Sequence, residues 1–344
     1  MIEGGGLQGD LSLRTASTSV FHEHDTLFGR LRPYLRKFWF ANTSGVKSGE
    51  IWSLYSSTLK PEFLYALTQS AQFLNQALQT AGTKMPRAEW KTIAEAYFAV
   101  PQAEEQEKIG ILFHKLEQLI AAEKRKLNLL QKKKTTLLRQ IFEQKLRFKG
   151  YSDFWEQHKL GSLGISYSGL SGKTKTDFGH GLASYITYMN VFQNPIADID
   201  SNGQIEIDAK QHTVRYGDAL FTISSETPEE VGMSSVWIGN QKNVYLNSFC
   251  FGYRQDGAFD VLYLAYMLRS EAVRNQMRML AQGISRFNIS QHKVMDINVN
   301  IPSISEQQKI GSFCRGLDQL ISAEVKKIDL LTLKKKALLQ QMFV

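Results

Sequence analysis

From Ile109 onward, the apolar residues Ile109, Phe113, Leu116, Ile120, Leu127, Leu130, Leu137 and Ile141 recur at steps of three, four or seven, with charged and amide residues between them. That spacing puts a single apolar stripe along one face of a helix. Pro101 stands just ahead of it, acidic Glu104 and Glu105 fall in its first turn, and neither Gly nor Pro interrupts 111–148. The pattern therefore predicts one long helix. At about 1.5 Å per residue, about 40 residues make a rod of about 60 Å, whose stripe needs a second helix to cover it.

The second helix is already in the chain. Residues 301–343 repeat residues 100–142 at a constant offset of 201, with 21 of 43 positions identical. Val100-Pro101 is answered by Ile301-Pro302, and Glu105-Gln106-Glu107-Lys108-Ile109-Gly110 by Glu306-Gln307-Gln308-Lys309-Ile310-Gly311. The second stripe is Ile310, Leu317, Ile321, Ile328, Leu331 and Leu338. Burying several Leu and Ile pairs at about 1.5–3 kcal/mol each would hold two such rods together. The competing reading lays each helix across its own globular module.

The segments ahead of the helices correspond more loosely. Asp25-Thr26-Leu27-Phe28 parallels Asp218-Ala219-Leu220-Phe221, and Gly82-Thr83-Lys84-Met85 parallels Gly283-Ile284-Ser285-Arg286. Each segment reads as a mixed module: short strands such as 219–224 and 235–238, then a helix over Pro61–Thr80 or Asp260–Gln282, then a strand ending near Ile301. The predicted order is a first module over 1–103, a helix over 104–149, a second module over 150–304 and a helix over 305–344. The fold class is α+β. The modules are unequal: 63 residues separate Trp155 from Asp218, whereas 24 precede Asp25. The first module therefore lacks roughly 40 residues at its front, through truncation or because another chain supplies them.

Composition bears mainly on where charge sits. The chain has 344 residues and a formal net charge of +8, a balance that favours a polyanionic partner. However, 104–149 carry 12 basic and 6 acidic residues and 305–344 carry 7 and 4, so the helices hold +9 and the modules −1. Lysine clusters such as 132–134 and 334–336 fit a solvated helix face, phosphate contact or docking of an acidic partner. Inside the modules, Arg30, Arg32, Arg36 and Lys37 alternate with Tyr34, Phe38, Trp39 and Phe40. That alternation suits phosphate contact beside base packing, or a strand with one aromatic and one basic face. Lys173 and Lys175 lie in a Gly/Ser-rich stretch, and Arg286 with Asn288 follows Gly283. Arg and Asn are the residue types that read guanine and adenine edges in the major groove. With Lys84 and Arg87, these are the candidate DNA-binding residues.

No catalytic constellation emerges. Tyr167-Ser168-Gly169-Leu170-Ser171-Gly172-Lys173-Thr174 misses a phosphate-binding loop at Tyr167, where Gly or Ala is needed. His22-Glu23-His24 lacks a nearby third metal ligand and reads better as a strand showing two His on one face. Glu143-Gln144-Lys145 resembles the end of a nuclease carboxylate set without the Asp that would complete it. No cofactor or metal is expected. Two cysteines, Cys250 and Cys314, match no metal spacing and point to a reducing compartment. No apolar run is long enough for a membrane span, and no signal-peptide pattern opens the chain.

Phe28-Gly29-Arg30-Leu31-Arg32-Pro33-Tyr34-Leu35-Arg36-Lys37 with Ser48-Gly49-Glu50, the opening Trp155-x-x-x-Lys159-Leu160-Gly161, Gly217-Asp218 before a strand and the doubled Glu-Gln-x-Lys-Ile-Gly helix signature together resemble the specificity subunit of Type I restriction-modification systems. The resemblance covers essentially the whole chain. It implies two target-recognition domains, each reading half of a split double-stranded DNA site, separated by two long helices packed as an antiparallel coiled coil. It further implies a cytoplasmic subunit without catalytic activity that recruits two methyltransferase subunits, with restriction subunits joining through them. The short first module departs from the family pattern. Alternatives are a truncated or recombination-derived fragment reading one half-site, or a coiled-coil adaptor that reads no sequence. A single-chain modification enzyme is disfavoured by length.

Overall fold

In the computed structural model, which describes Met1, Leu7 and residues 19–79 and 85–343, the chain forms two compact units, Met1–Asn128 with Ala323–Val344, and Leu129–Ser322. Unit 1 is built from two separate stretches of chain, whereas unit 2 is continuous and begins and ends inside the long helices.

Unit 1 begins with β1 (Val20–Phe21), β2 (Thr26–Gly29), β3 (Phe38–Phe40), β4 (Gly45–Val46) and β5 (Ile51–Leu54). Strands β3, β2 and β5 form an antiparallel sheet in that order, and β1 pairs with β4. Helices α1 (Pro61–Gln69), α2 (Ala71–Leu78) and α3 (Trp90–Ala94) follow, then the long α4 (Ala103–Phe142). Phe28, Phe38, Tyr65, Phe73 and Leu74 make the core under the sheet.

Unit 2 has β6 (Glu156–Lys159), β7 (Gly164–Ser168), β8 (Phe178–Ile186), α5 (Tyr188–Gln193), β9 (Asn202–Ile205), β10 (Ala219–Thr222), β11 (Ser224–Ser225), β12 (Ser234–Val236), β13 (Val244–Leu246) and β14 (Cys250–Gln255). After them come α6 (Val261–Met267), α7 (Glu271–Leu280), β15 (Phe287–Asn288), α8 (Gln291–Met295), β16 (Asn298–Ile301) and the second long helix α9 (Ile304–Met342). Its main sheet runs β12-β10-β14-β7, with β13-β8-β9, β16-β6 and β11-β15 beside it.

The single helices expected over Pro61–Thr80 and Asp260–Gln282 are each broken in two; Thr80 itself lies outside the described residues. The break falls at a serine both times. Ser70 is extended (φ −71°, ψ 158°) and its hydroxyl accepts from the Phe73 amide, while Ser270 is extended at φ −66°, ψ 153°. Serine competes with the helix for its own backbone groups and so favours starting a new one. The long α4 also stops earlier than the sequence suggests. Gln144 turns left-handed at φ 58°, and the amides of Lys145 and Leu146 both donate to the Gln140 carbonyl, which satisfies the end of the helix. Arg30 to Phe40 is not one strand: Pro33–Leu35 forms a 3-10 turn flanked by Arg32 and Arg36, both left-handed. Pro33 has no amide hydrogen to give a sheet ladder. His22-Glu23-His24 is a turn rather than a strand, with His24 at φ 72°.

The repeated signature has a physical meaning. Gln106 accepts from the Lys60 amide (3.0 Å) and donates to the Pro101 carbonyl (2.8 Å). Gln307 does the same with Asp260 (2.8 Å) and Pro302 (3.0 Å). One turn later, a Cβ on Gly110 would lie 2.8 Å from the Phe63 amide nitrogen, and one on Gly311 would lie 2.7 Å from that of Tyr263. Each glutamine thus ties its long helix to the module helix preceding it, and each glycine lets the two backbones touch. Because backbone cannot move aside as a side chain can, Gly110→Ala and Gly311→Ala are each expected to cost about 1–3 kcal/mol. Thermal unfolding checks this, with Gly316→Ala, where a Cβ meets open space inside α9, as a control expected to be neutral or to stabilise by up to about 1 kcal/mol.

Within unit 1 the two long helices run antiparallel: Glu117 pairs with Lys335, Glu123 with Lys327, and Lys126 with Glu324 at 2.7 Å. In unit 2, Lys134 pairs with Asp318. These pairs are equivalent under the 201-residue offset. Glu123–Lys327 maps onto Glu324–Lys126, and Glu117–Lys335 onto Asp318–Lys134. Of the stripe residues, Ile109, Phe113, Ile120, Ile141, Ile310 and Ile328 are buried, and Leu116, Leu127, Leu130, Leu137, Leu317, Ile321, Leu331 and Leu338 half-buried. The stripe is not covered by helix alone. Ile109 and Phe113 sit with Phe63, Ala66 and Leu67 of α1, and Ile310 belongs to the unit 2 core.

Candidate nucleic-acid interface

In unit 2, the amide and carbonyl of Gln282 bond those of Asn288 at 2.9 and 2.8 Å, closing a hairpin whose tip is Gly283–Arg286. Gly283 sits at φ +135°, and a Cβ there would fall on the Arg286 carbonyl, so the turn requires glycine. The tip projects: Ile284 is 97% exposed, and Arg286 and Asn288 are also exposed. Asn288 is held by β15 pairing with β11, opposite Ser224. Arg286 borders a recess of about 400 Å³ also lined by Tyr188, Phe192, Phe249, Glu226 and Glu230. The Tyr188 hydroxyl donates to the Ser224 carbonyl at 2.6 Å, and its ring stacks on Phe192.

Lys173 is committed elsewhere. Its ammonium donates to Asp208 at 2.7 Å, and that bond, with the Lys210 amide, holds the Asp208 carboxyl at about 2. The pair contributes stability above the ordinary aspartate range and loses it as pH falls toward 2. Lys175 is exposed at the start of a 3-10 turn that Thr174 and Asp177 close by mutual hydrogen bonds. The Tyr167 ring lies against Gly252 and its hydroxyl donates to Asp218 at 2.7 Å, which explains a bulky residue where a phosphate loop would need none.

In unit 1, Arg32 and Arg36 are exposed on either side of their turn. Arg30 lies over the Trp52 ring at 5.9 Å and 4.0 Å from Glu89, and Arg87 pairs with Glu50 at 3.1 Å. Lys37 is half-buried beside Gly29. Lys84 lies outside the described residues. Among the candidates, Arg32, Arg36, Lys175, Arg286 and Asn288 therefore present exposed side chains, while Arg30, Arg87 and Lys173 face carboxylates.

Sequence reasoning missed a pair of arginines behind the hairpin. Arg269 donates to the carbonyls of Ser234, Val191, Phe192 and Asn194, and Arg274 to those of Gly232, Glu229 and Val231. Together they fix the segments that carry Phe192 and Glu230 to the recess. The available signal was Arg274 lying between Val273 and Met277 on the apolar face of a helix. Among the described residues no group of three or more His, Cys, Asp or Glu could hold a metal ion, and no helix is long and apolar enough to cross a membrane. Cys250 and Cys314 are buried, and burial pushes the Cys314 thiol up to about 12.

Comparison with known proteins adds context to this geometry. Residues 33–132 and 153–333 match the family model described as Type I restriction modification DNA specificity domain. The Type I restriction enzyme MjaVIII specificity subunit of Methanocaldococcus jannaschii is 21% identical over 313 residues, 84% of this chain and 68% of that protein. The Type-I restriction-modification system S subunit from M. genitalium aligns with a TM-score of 0.60 at 14% identity, over 99% of this chain and 92% of its own. The HsdS subunit from Thermoanaerobacter tengcongensis gives 0.52 at 19%, over 94% and 81%.

Proposed function

Because the chain belongs to the Type I restriction modification DNA specificity family, we propose that it is the sequence-reading subunit of such a system, binding a bipartite double-stranded DNA site and recruiting methyltransferase subunits. The observation that carries this reading is the doubled architecture: equivalent Gln and Gly clamps anchor equivalent helices to two modules, and equivalent ion pairs join the helices. The chain itself supplies recognition rather than catalysis, and it acts in the cytoplasm. Restriction subunits join through the methyltransferase core.

Base contact falls to the exposed hairpin bearing Arg286 and Asn288, with Lys175, Arg32 and Arg36 on phosphates. A bidentate Arg or Asn contact is worth about 1–3 kcal/mol of base discrimination, whereas a phosphate contact carries no sequence information. Arg286→Ala in the complex with its methyltransferase subunits should relax methylation at one position of one half-site. Lys175→Ala should weaken binding at all sequences and lower the salt slope by about 0.9. Mapping methylated positions across a genome checks both, and an unchanged motif with Arg286→Ala removes the hairpin from the reading surface.

Two leucine positions are exposed in both helices: Leu119 with Leu320, and Leu129 with Leu330, each pair separated by the same 201 residues. Exposed apolar positions repeated in this way support two equivalent docking surfaces, one for each of two methyltransferase subunits. The length of the helices sets the gap between half-sites. Adding one turn of about 5.4 Å to each should widen the preferred gap by one or two base pairs at about 3.4 Å per pair. Selection from randomised DNA reads this out, and an unchanged gap refutes it.

A further inference from the structure

The two modules share a strand register, and unit 2 carries strands without a counterpart among the described residues of unit 1. In unit 2, β10 pairs Ala219 with Val236 and with Tyr253; in unit 1, β2 pairs Thr26 with Phe40 and with Leu54. Thus β5 is the counterpart of β14. In unit 2 the far side of β14 is occupied by β7, Gly252 standing opposite Tyr167. Among the described residues, β5 ends its sheet with no neighbour there.

The same holds at a second edge. Strand β16 leads into Pro302 and pairs antiparallel with β6. Residues 97–100, exactly one offset earlier and leading into Pro101, form no strand and make no backbone hydrogen bond among the described residues. Tyr97 is 100% exposed there, and Val100 is 47%.

The buried aspartates differ in keeping with this. Asp218 accepts from the Arg215 amide, the Arg254 guanidinium and the Tyr167 hydroxyl of β7. Asp25 accepts from the equivalent His22 amide and from the Ser53 hydroxyl, with no β7-like donor among the described residues. The segment filling both edges in unit 2 also plants Trp155 and Leu160 in the core beside Tyr263 and Val299.

We propose that unit 1 is completed by strand addition from a second polypeptide: an extended segment with the Trp155, Leu160 and Tyr167 spacing, antiparallel to the outer edge of β5 and to residues 97–100. Open sheet edges accept such segments through main-chain hydrogen bonds, with side-chain pockets giving selectivity. The unit 2 segment shows the chemistry of the occupant: an aromatic and an aliphatic anchor, Trp155 and Leu160, flanking the first strand, and in the second a tyrosine hydroxyl equivalent to that of Tyr167 to reach Asp25. This inference stands apart from the DNA-reading proposal, since it concerns how a module is completed rather than what it reads.

The test is hydrogen exchange on the full chain, alone and with a synthetic peptide of residues 153–170. Alone, amides of 51–54 and 97–100 should exchange much faster than those of 250–255. With peptide they should slow at least about tenfold while 250–255 stay unchanged. The same peptide carrying Tyr167→Pro, which removes a ladder donor, should lose the effect. Protection of β5 equal to that of β14 in the chain alone, or no response to the peptide, overturns the proposal.

Discussion

Replacing Phe343 by alanine is expected to cost about 3–5 kcal/mol of stability in the unit formed around the first module, although this residue is far removed from that module in sequence. Phe343 is 6% exposed, with its ring 5.5 Å from that of Phe63 and 6.0 Å from that of Phe113. It shares a core cluster with Ala66, Leu67 and Ile109. The end of the second long helix therefore fills the hydrophobic seam where the first long helix meets α1. Phe142 is its equivalent by the 201-residue offset, and it packs against Tyr263 in unit 2 at 5.9 Å. Phe142→Ala should accordingly weaken unit 2. Denaturant unfolding followed by hydrogen exchange separates the two, because Phe343→Ala should speed exchange in 61–78 and leave 250–267 unaffected. Met342→Ala, at a more exposed neighbour, should change stability by less than about 0.5 kcal/mol. A loss below about 1 kcal/mol for Phe343→Ala would show that the helix end is not part of that core.

The helices and their duplication were legible because helix periodicity and identity at a fixed offset are properties of one dimension. The stripes and the Gln-Gly signature follow from local spacing. What could not be read is which surface the identical phenylalanines fill: Phe142 and Phe343 align with each other, yet nothing local says that each packs against a Phe63- or Tyr263-type ring. The Arg30–Phe40 alternation fitted either phosphate contact beside base packing or one strand with an aromatic and a basic face, and Pro33 rules out the single strand by placing a turn between Arg32 and Arg36. Lys173 looked like a free cation because its partner, Asp208, is 35 residues away. Arg269 and Arg274 left no acidic partner in the sequence to find, since their acceptors are main-chain carbonyls.

That last pair supports the second large effect. Arg274 is 8% exposed and donates to the carbonyls of Gly232, Val231 and Glu229 at 2.7–2.8 Å. Burial pulls its guanidinium down to about 10, so it is still charged at neutral pH, and the carbonyl dipoles provide the compensation that a carboxylate usually would. Arg274→Met keeps much of the volume but leaves three acceptors without a donor. With about 1–3 kcal/mol for each buried group left unsatisfied, and partial rehydration of some, the expected loss is about 3–5 kcal/mol. Lysine should not restore it, because a single ammonium cannot reproduce a planar fork spread over three carbonyls. The consequence extends to the hairpin. A Cβ on Gly232 would lie 3.2 Å from Ile289, the residue after Asn288, so freeing 229–232 removes a surface on which the base of the hairpin rests. Hydrogen exchange should rise at 224–225 and 287–288 even in conditions where the unit stays folded. A variant as stable as the parent, with those amides still protected, would mean that the carbonyls find water and that the arginine does not brace the hairpin.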